Sequence, residues 1–247
     1  MRYAFAGDRK ISVAILKFII SQGYKPSALF ISESNKSSHC KELIELSGLD
    51  DELIFRGNSF KENYEKIRKL NLDYIFGIHF PYIIPTEFLE LPKIGFLNLH
   101  PAYLPYNKGW HTPSWAIIDE TPYGATLHFM TENLDEGNII HQKQIAVQPS
   151  DTAHTLYKRV MKVEEEVFFE AFDSIKNFSP KSMKQTHKGT NHSKRDLKKV
   201  QEIDLNKTYS GKELINLLRG LTTNKKEEAA YFKDGEDTYY IQLNISK

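Results

Sequence analysis

Over the first hundred residues short apolar runs alternate with stretches whose apolar positions recur near a period of 3.6. Arg2-Tyr-Ala-Phe-Ala-Gly7 is a short apolar run closed by glycine, and it gives way to Ile11, Ala14, Ile15, Phe18 and Ile19 at helical spacing. The pattern predicts a strand, a tight turn and a helix. After the break at Gly23-Tyr24-Lys25-Pro26, Ala28 to Ile31 reads as a second strand and Ser38 to Ser47 as a helical stretch. Ser59 and Glu62 have capping-box spacing for a helix ending near Leu70. Leu72 to Phe80 and Ile94 to Leu99 follow as strands. Strand and helix in strict alternation predict an α/β fold, an open, mostly parallel, doubly wound Rossmann-like sheet.

Further along, Thr112-Pro113 predicts a cap and first turn for a helix to about Asp119. Tyr123 to Thr131 and Asn138 to Val147 read as two strands joined by Asn133-Leu-Asp135-Glu-Gly137, nearly a hairpin. Asp151 is placed to cap a long helix to about Phe178, with Leu156, Val160, Val163, Val167 and Phe168 inward and Glu164 to Glu166 on the wet side. Between Ser179 and Lys199 the chain turns polar and basic. Ser210 and Glu213 then start a helix to about Arg219, and Ala229 to Lys233 and Thr238 to Ile245 form two strands joined at Asp234-Gly235-Glu236. The expected division is a catalytic domain over 1–180, a basic connector over 181–200 and a small helix-and-hairpin region over 201–247.

Composition narrows the function classes. The 33 basic and 32 acidic side chains leave a formal charge of +1, so no global field recruits nucleic acid or an anionic membrane. The one cysteine, Cys40, forms neither an internal disulfide nor a cysteine zinc site, which points to a reducing cytoplasm. The apolar run Ile11 to Ile20 contains Lys17 and is too short to span a bilayer, and Met1 to Ala6 reads as a strand rather than a leader.

In an open parallel sheet, ligands gather beyond the carboxyl ends of the strands. Three places there carry chemistry. The turn Gly7-Asp8-Arg9-Lys10 offers backbone N–H groups and two cations to a phosphate, or is an ordinary turn with solvated side chains. It lacks the three-glycine dinucleotide fingerprint. Asn98 and His100 are two apart on a strand and face the same side, which pairs an amide donor with a titratable imidazole; either residue alone equally suits a sheet edge. Asp135 precedes Gly137 in a turn, where an aspartate is common for local reasons. His187 and His192 lack further ligands with metal spacing and read as surface histidines, so no metal is expected.

The segments Gly95-Phe-Leu-Asn98-Leu-His100-Pro-Ala-Tyr-Leu-Pro105-Tyr-Asn-Lys-Gly109 and Gly124-Ala-Thr-Leu-His-Phe-Met-Thr-Glu-Asn-Leu-Asp135-Glu-Gly137-Asn-Ile-Ile together resemble the 10-formyltetrahydrofolate-dependent formyltransferase family. Its hallmark is an Asn, a His two residues later and an Asp in a Leu-Asp-x-Gly turn. The likeness covers roughly the first two thirds of the chain. The stretches His187 to Leu197, Lys207-Thr-Tyr209 and Leu214 to Arg219, with Tyr106-Asn-Lys-Gly-Trp110, are most similar to bacterial nucleotide-sugar N-formyltransferases. The tRNA-directed enzymes usually have arginine where this chain has Lys108, and a longer second domain than the 47 residues after Val200.

The resemblance implies Asn98, His100 and Asp135 as catalytic residues. It implies a 10-formyltetrahydrofolate pocket formed by Phe80, Pro81, Tyr82 and Ile84 with Asp135 and Gly137. Arg9, Lys10, Lys108, Trp110, Lys188, Arg195 and Tyr209 are the candidates for holding a nucleotide sugar, with stacking from the rings and charge from the cations. The implied acceptor is the 3- or 4-amine of a nucleotide-linked, dTDP-type dideoxysugar, feeding surface polysaccharide such as lipopolysaccharide O-antigen. Glycinamide ribonucleotide or methionyl-tRNA formylation, or a non-catalytic folate or nucleotide-binding module, is the alternative. The C-terminal helix and hairpin are expected to make a homodimer, because a lone hairpin seldom holds itself together.

Overall fold

The computed structural model describes residues 1–33 and 38–246. In chain order its strands and helices are β1 (Tyr3–Gly7), α1 (Lys10–Ser21), β2 (Ala28–Ile31), α2 (Cys40–Ser47), β3 (Ile54–Arg56), α3 (Ser59–Glu62), α4 (Tyr64–Arg68), β4 (Tyr74–Ile78), α5 (Thr86–Leu89) and β5 (Gly95–His100). They continue as β6 (Lys108–Gly109), α6 (Thr112–Ile118), β7 (Tyr123–Phe129), β8 (Ile139–Ile145), α7 (Ala153–Lys176), β9 (Asn191–His192), α8 (Gly211–Gly220), β10 (Ala230–Asp234) and β11 (Asp237–Ile241). The main sheet has seven strands in the order β3-β2-β1-β4-β5-β7-β8. Strands β3, β2, β1, β4 and β5 pair in parallel, and β7 runs antiparallel to β5. This is the mostly parallel α/β fold that the alternation predicts.

Two compact units divide the chain. One comprises residues 1–100, 126–141 and 164–185; the other comprises 101–125, 142–163 and 186–247. In the first, the period of two along each strand builds two apolar layers. Ala4, Ala6, Phe30, Ile75 and Phe96 pack with Phe60 and Phe88. Phe76 meets Phe168 of α7 at 5.6 Å between ring centroids, and Phe168, Phe169 and Phe172 surround Phe18 of α1. Strands buried on both faces read as near-continuous apolar runs, which is the pattern of β1, β2 and β4.

In the second unit, Trp115, Leu197, Ile203, Leu221 and Ala230 form the core, with Tyr209 against them. Gly220 lets α8 lie close to α6, since a Cβ there would stand 2.6 Å from Ile118 Cγ1. The strands β10 and β11 close through Gly235, at φ 61°. Ser210 caps α8 by accepting from Glu213 N–H at 3.1 Å, as its spacing predicts.

Several local expectations are corrected. The helix expected from Ser59 to Leu70 is broken at Asn63 into α3 and α4, and Asn58 rather than Ser59 precedes it, with no side-chain cap bond. His111, at φ 56°, precedes α6, while the Thr112 hydroxyl donates to Pro101 O at 2.6 Å instead of capping. The α7 N-terminus has Thr152 Oγ1 accepting from Thr155 N–H at 3.3 Å, the bond Asp151 was expected to supply. Strand β3 escapes the pattern because three residues are too few to show a period. Glu164 is fully buried, not on the wet side: its Oε1 lies 2.7 Å from His79 Nε2, a partner that no helical wheel contains.

Candidate active site

The tips of β5 and β7 and the turn after β7 assemble one polar cluster inside the first unit. The antiparallel register sets Asn98 opposite His128 and His100 opposite Thr126, so four polar side chains from two strands share one face. Their apolar neighbours Leu97, Leu99 and Leu127 are buried. Gly77 of β4 lies beside Asn98, and a Cβ there would come 3.0 Å from the Phe96 ring and 3.7 Å from Asn98 Oδ1. Glycine therefore leaves the Phe96 ring its room.

Asp135 arrives from the Met130–Asn138 turn. Its backbone is left-handed at φ 55°, a conformation that Asp tolerates better than most side chains, and the residue is 93% buried with an exposure of 7%. Gly137 fixes the turn against β7, because a Cβ at that position would lie 1.7 Å from Phe129 O. On the other side, Gln185 Nε2 donates to Asp135 O at 2.8 Å and to Gly137 O at 3.0 Å.

The carboxylate spans two imidazoles. Asp135 Oδ2 is 3.5 Å from His100 Nε2, and Oδ1 is 3.6 Å from His128 Nε2. His128 Nδ1 donates to Phe129 O at 2.8 Å, which leaves its Nε2 lone pair to accept from Asn98 Nδ2 at 3.2 Å. This chain of contacts turns the Asn98 amide so that its nitrogen is held. One of its two N–H groups serves His128. The structure thus brings Asn98, His100 and Asp135 together and adds His128, which the sequence reading missed. A signal was available: Thr126 and His128 mirror the polar spacing of Asn98 and His100 on a strand whose alternate residues are apolar.

The segment after β4 turns at His79, φ 53°, into an extended loop. Phe80, Tyr82 and Ile84 pack on the Phe60 and Phe88 layer, with Phe80 5.9 Å from Phe60, while Pro81 and Ile83 are exposed. The alternate side chains anchor the loop, and its backbone with Pro81 and Ile83 forms the outward surface.

The cationic candidates differ in what they can offer. Arg9 and Lys10 are exposed at the start of α1, yet the backbone N–H groups of Asp8 and Arg9 both donate to Ser12 Oγ, at 3.2 and 3.1 Å. The side chains of Arg9 and Lys10 remain exposed at this turn. In the second unit Lys108 is buried, and β6 pairs with β9 through Lys108 and Gly109. Trp110 is 47% exposed, with Lys194 Nζ 5.2 Å from its ring centroid. Lys188 and Arg195 are exposed. The Tyr209 ring packs in the C-terminal core, its hydroxyl accepts from Asp204 N–H at 3.2 Å, and Lys207 lies over its face. His192 stacks on Trp115 at 3.8 Å and meets Asp119 at 2.8 Å, which accounts for it without a metal.

Comparison with known proteins places the chain in one family. The model of the formyl transferase family matches residues 9–172, and that of the N-formyltransferase dimerization C-terminal domain matches residues 196–247. The chain belongs to the formyl transferase family. A dTDP-4-amino-4,6-dideoxyglucose formyltransferase from Mycobacterium tuberculosis is 31% identical over 150 residues, 61% of this chain and 63% of that enzyme's length. A methionyl-tRNA formyltransferase from Clostridioides difficile is 29% identical over 233 residues, 90% of this chain and 74% of that enzyme. Among solved structures, a 4-N formyltransferase from Francisella tularensis is similar with a TM-score of 0.86 and 28% identity, covering 100% of this chain and 98% of that one. Among the described residues, no helix is long and apolar enough to cross a membrane.

Proposed function

We propose that this protein moves a formyl group from 10-formyltetrahydrofolate to the 4-amine of a dTDP-linked dideoxysugar, in the cytoplasm, as a step toward a bacterial surface polysaccharide. The observation that carries the reading is the meeting of His100 and His128 at the Asp135 carboxylate, with Asn98 held by His128. Two similar proteins act, by name, on 4-amino groups, one of them dTDP-linked, and this favours the 4-amine over the 3-amine. The match to a dimerization domain supports a homodimer.

In this reading the neutral amine attacks the formyl carbon, a C–N bond forms, and the carbonyl oxygen gains negative charge. Asn98 donates its second N–H to that oxygen; loss of one such donor typically costs about 100- to 1,000-fold in turnover. His100 takes the proton released by the amine, work worth roughly 100- to 10,000-fold. Asp135 holds the imidazole by its Nε2 and stabilises the imidazolium that results. As the bond to folate N10 breaks, the same proton passes to that nitrogen, so tetrahydrofolate leaves neutral at N10. The outward surface of the Phe80–Ile84 loop and the backbone of the Asp135 turn hold the folate ring. Trp110 with Lys194 provides a stacking ring and a cation for the nucleotide.

The relatives directed at methionyl-tRNA keep a second acceptor in view. Purified protein with 10-formyltetrahydrofolate is therefore offered a panel of dTDP- and UDP-linked 3- and 4-aminosugars, glycinamide ribonucleotide and methionyl-tRNA, and products are weighed by mass spectrometry. Formylation of a dTDP-4-aminosugar is expected. Gain of a formyl group only on methionyl-tRNA or glycinamide ribonucleotide, or on nothing, overturns the proposal. Alanine at Asn98, His100 or Asp135 is expected to cut turnover at least about 100-fold.

A further inference from the structure

Gln185 lies at the start of the basic stretch, and no step of the chemistry above uses it. Its amide nitrogen donates to Asp135 O at 2.8 Å and to Gly137 O at 3.0 Å, so both N–H bonds are spent on one turn, and two acceptors fix which end of the amide is nitrogen. Two residues earlier, Met183 forms an antiparallel bridge with Ile139, each N–H donating to the other's carbonyl at 2.8 Å. The segment Met183 to Gln185 therefore straps the far side of the turn that Gly137 seats against Phe129. The side-chain oxygen Oε1 is buried without a hydrogen-bond partner among the described residues. An unmatched buried acceptor costs free energy.

We infer that Gln185 is a positioning residue: by gripping the two carbonyls that bracket the Asp135 turn, it sets the Asp135 carboxylate against the His100 imidazole. The left-handed backbone at Asp135, φ 55°, is unfavourable for a side-chain-bearing residue and persists only when its surroundings hold it. Without the grip the turn relaxes and the separation of 3.5 Å between Oδ2 and His100 Nε2 lengthens. The attraction between carboxylate and imidazolium falls as the inverse of that distance, so His100 titrates at lower pH. The inference rests on the reading of Asp135 as part of the active site, and its test is arranged to stand apart from that reading.

The test replaces Gln185 by Met, which keeps length and removes both donors, and by Leu, which removes the donors with a shorter side chain and adds no charge. Imidazole carbon NMR shifts of His100 and His128, assigned with His100→Gln and His128→Gln, are titrated in the full chain without substrate. The expected result is a downward move of the His100 midpoint by about half a pH unit or more in both variants. With the aminosugar as acceptor, turnover falls about tenfold while KM for both substrates stays within about twofold. A His100 titration superimposable on wild type in either folded variant overturns the inference, as does a loss of turnover seen only as raised KM. Absence of transfer in wild type undoes the functional proposal alone, because the titration needs no substrate.

Discussion

Replacing Gly137 by alanine tests the geometry of the site at its tightest backbone contact. The added Cβ would stand 1.7 Å from Phe129 O and 2.7 Å from Phe129 C, both backbone atoms of β7. An ordinary contact at that carbonyl needs about 3.4 Å, so the turn must move by about 1.7 Å, since β7 is pinned to β5 by its ladder. Asp135, two residues earlier, is carried along. A displacement of even 1 Å takes its Oδ2 from 3.5 Å to beyond 4 Å of His100 Nε2. Misplacement on that scale costs on the order of 100-fold in rate. Overpacking of this kind also costs about 1–3 kcal/mol of stability. Formyl transfer and a urea titration are measured on Gly137→Ala beside Gly211→Ala, where nothing lies within 4 Å and the helical backbone admits a side chain. The Gly211 variant is expected to keep its activity and to gain up to about 1 kcal/mol. Wild-type turnover in a stably folded Gly137→Ala would refute the argument that this contact sets Asp135.

Two further outcomes follow from partly buried histidines. Removing His79 leaves the wholly buried Glu164 without the partner it meets at 2.7 Å, so His79→Ala is expected to lose about 3–5 kcal/mol in urea unfolding, and Glu164→Gln less. Burial pushes the His111 imidazole below its ordinary value, although Glu228 at 4.0 Å pulls it the other way. Its contribution is then complete above the unfolded value near 6.5 and is lost as pH falls from there through the folded value, because the unfolded chain takes the proton first. Thermal melts between pH 7 and pH 5 should show a shallower acid-side fall in Tm for His111→Asn than for wild type. Asparagine is chosen because it tolerates the left-handed backbone at φ 56°.

Much of this protein was written in local pattern. The short continuous apolar runs at Tyr3–Gly7 and Tyr74–Ile78 and the helical spacing after Arg9 mark which side chains can be buried, and so the alternation of strand and helix. Asn98 and His100 share a face because both are on one strand, a fact of backbone geometry that needs no tertiary contact. What the fold alone decided are the meetings between distant segments. Glu164 looked solvated because a helix pattern cannot contain His79, 85 residues away. His128 joins the polar cluster only because antiparallel register sets it against Asn98, and Gln185 meets the Asp135 turn only because the chain crosses back, 50 residues on. Apolar burial leaves a periodic trace along the chain because every residue of a face contributes to it. The environment of a buried polar group depends on one partner, and where that partner lies is known only once the chain is folded.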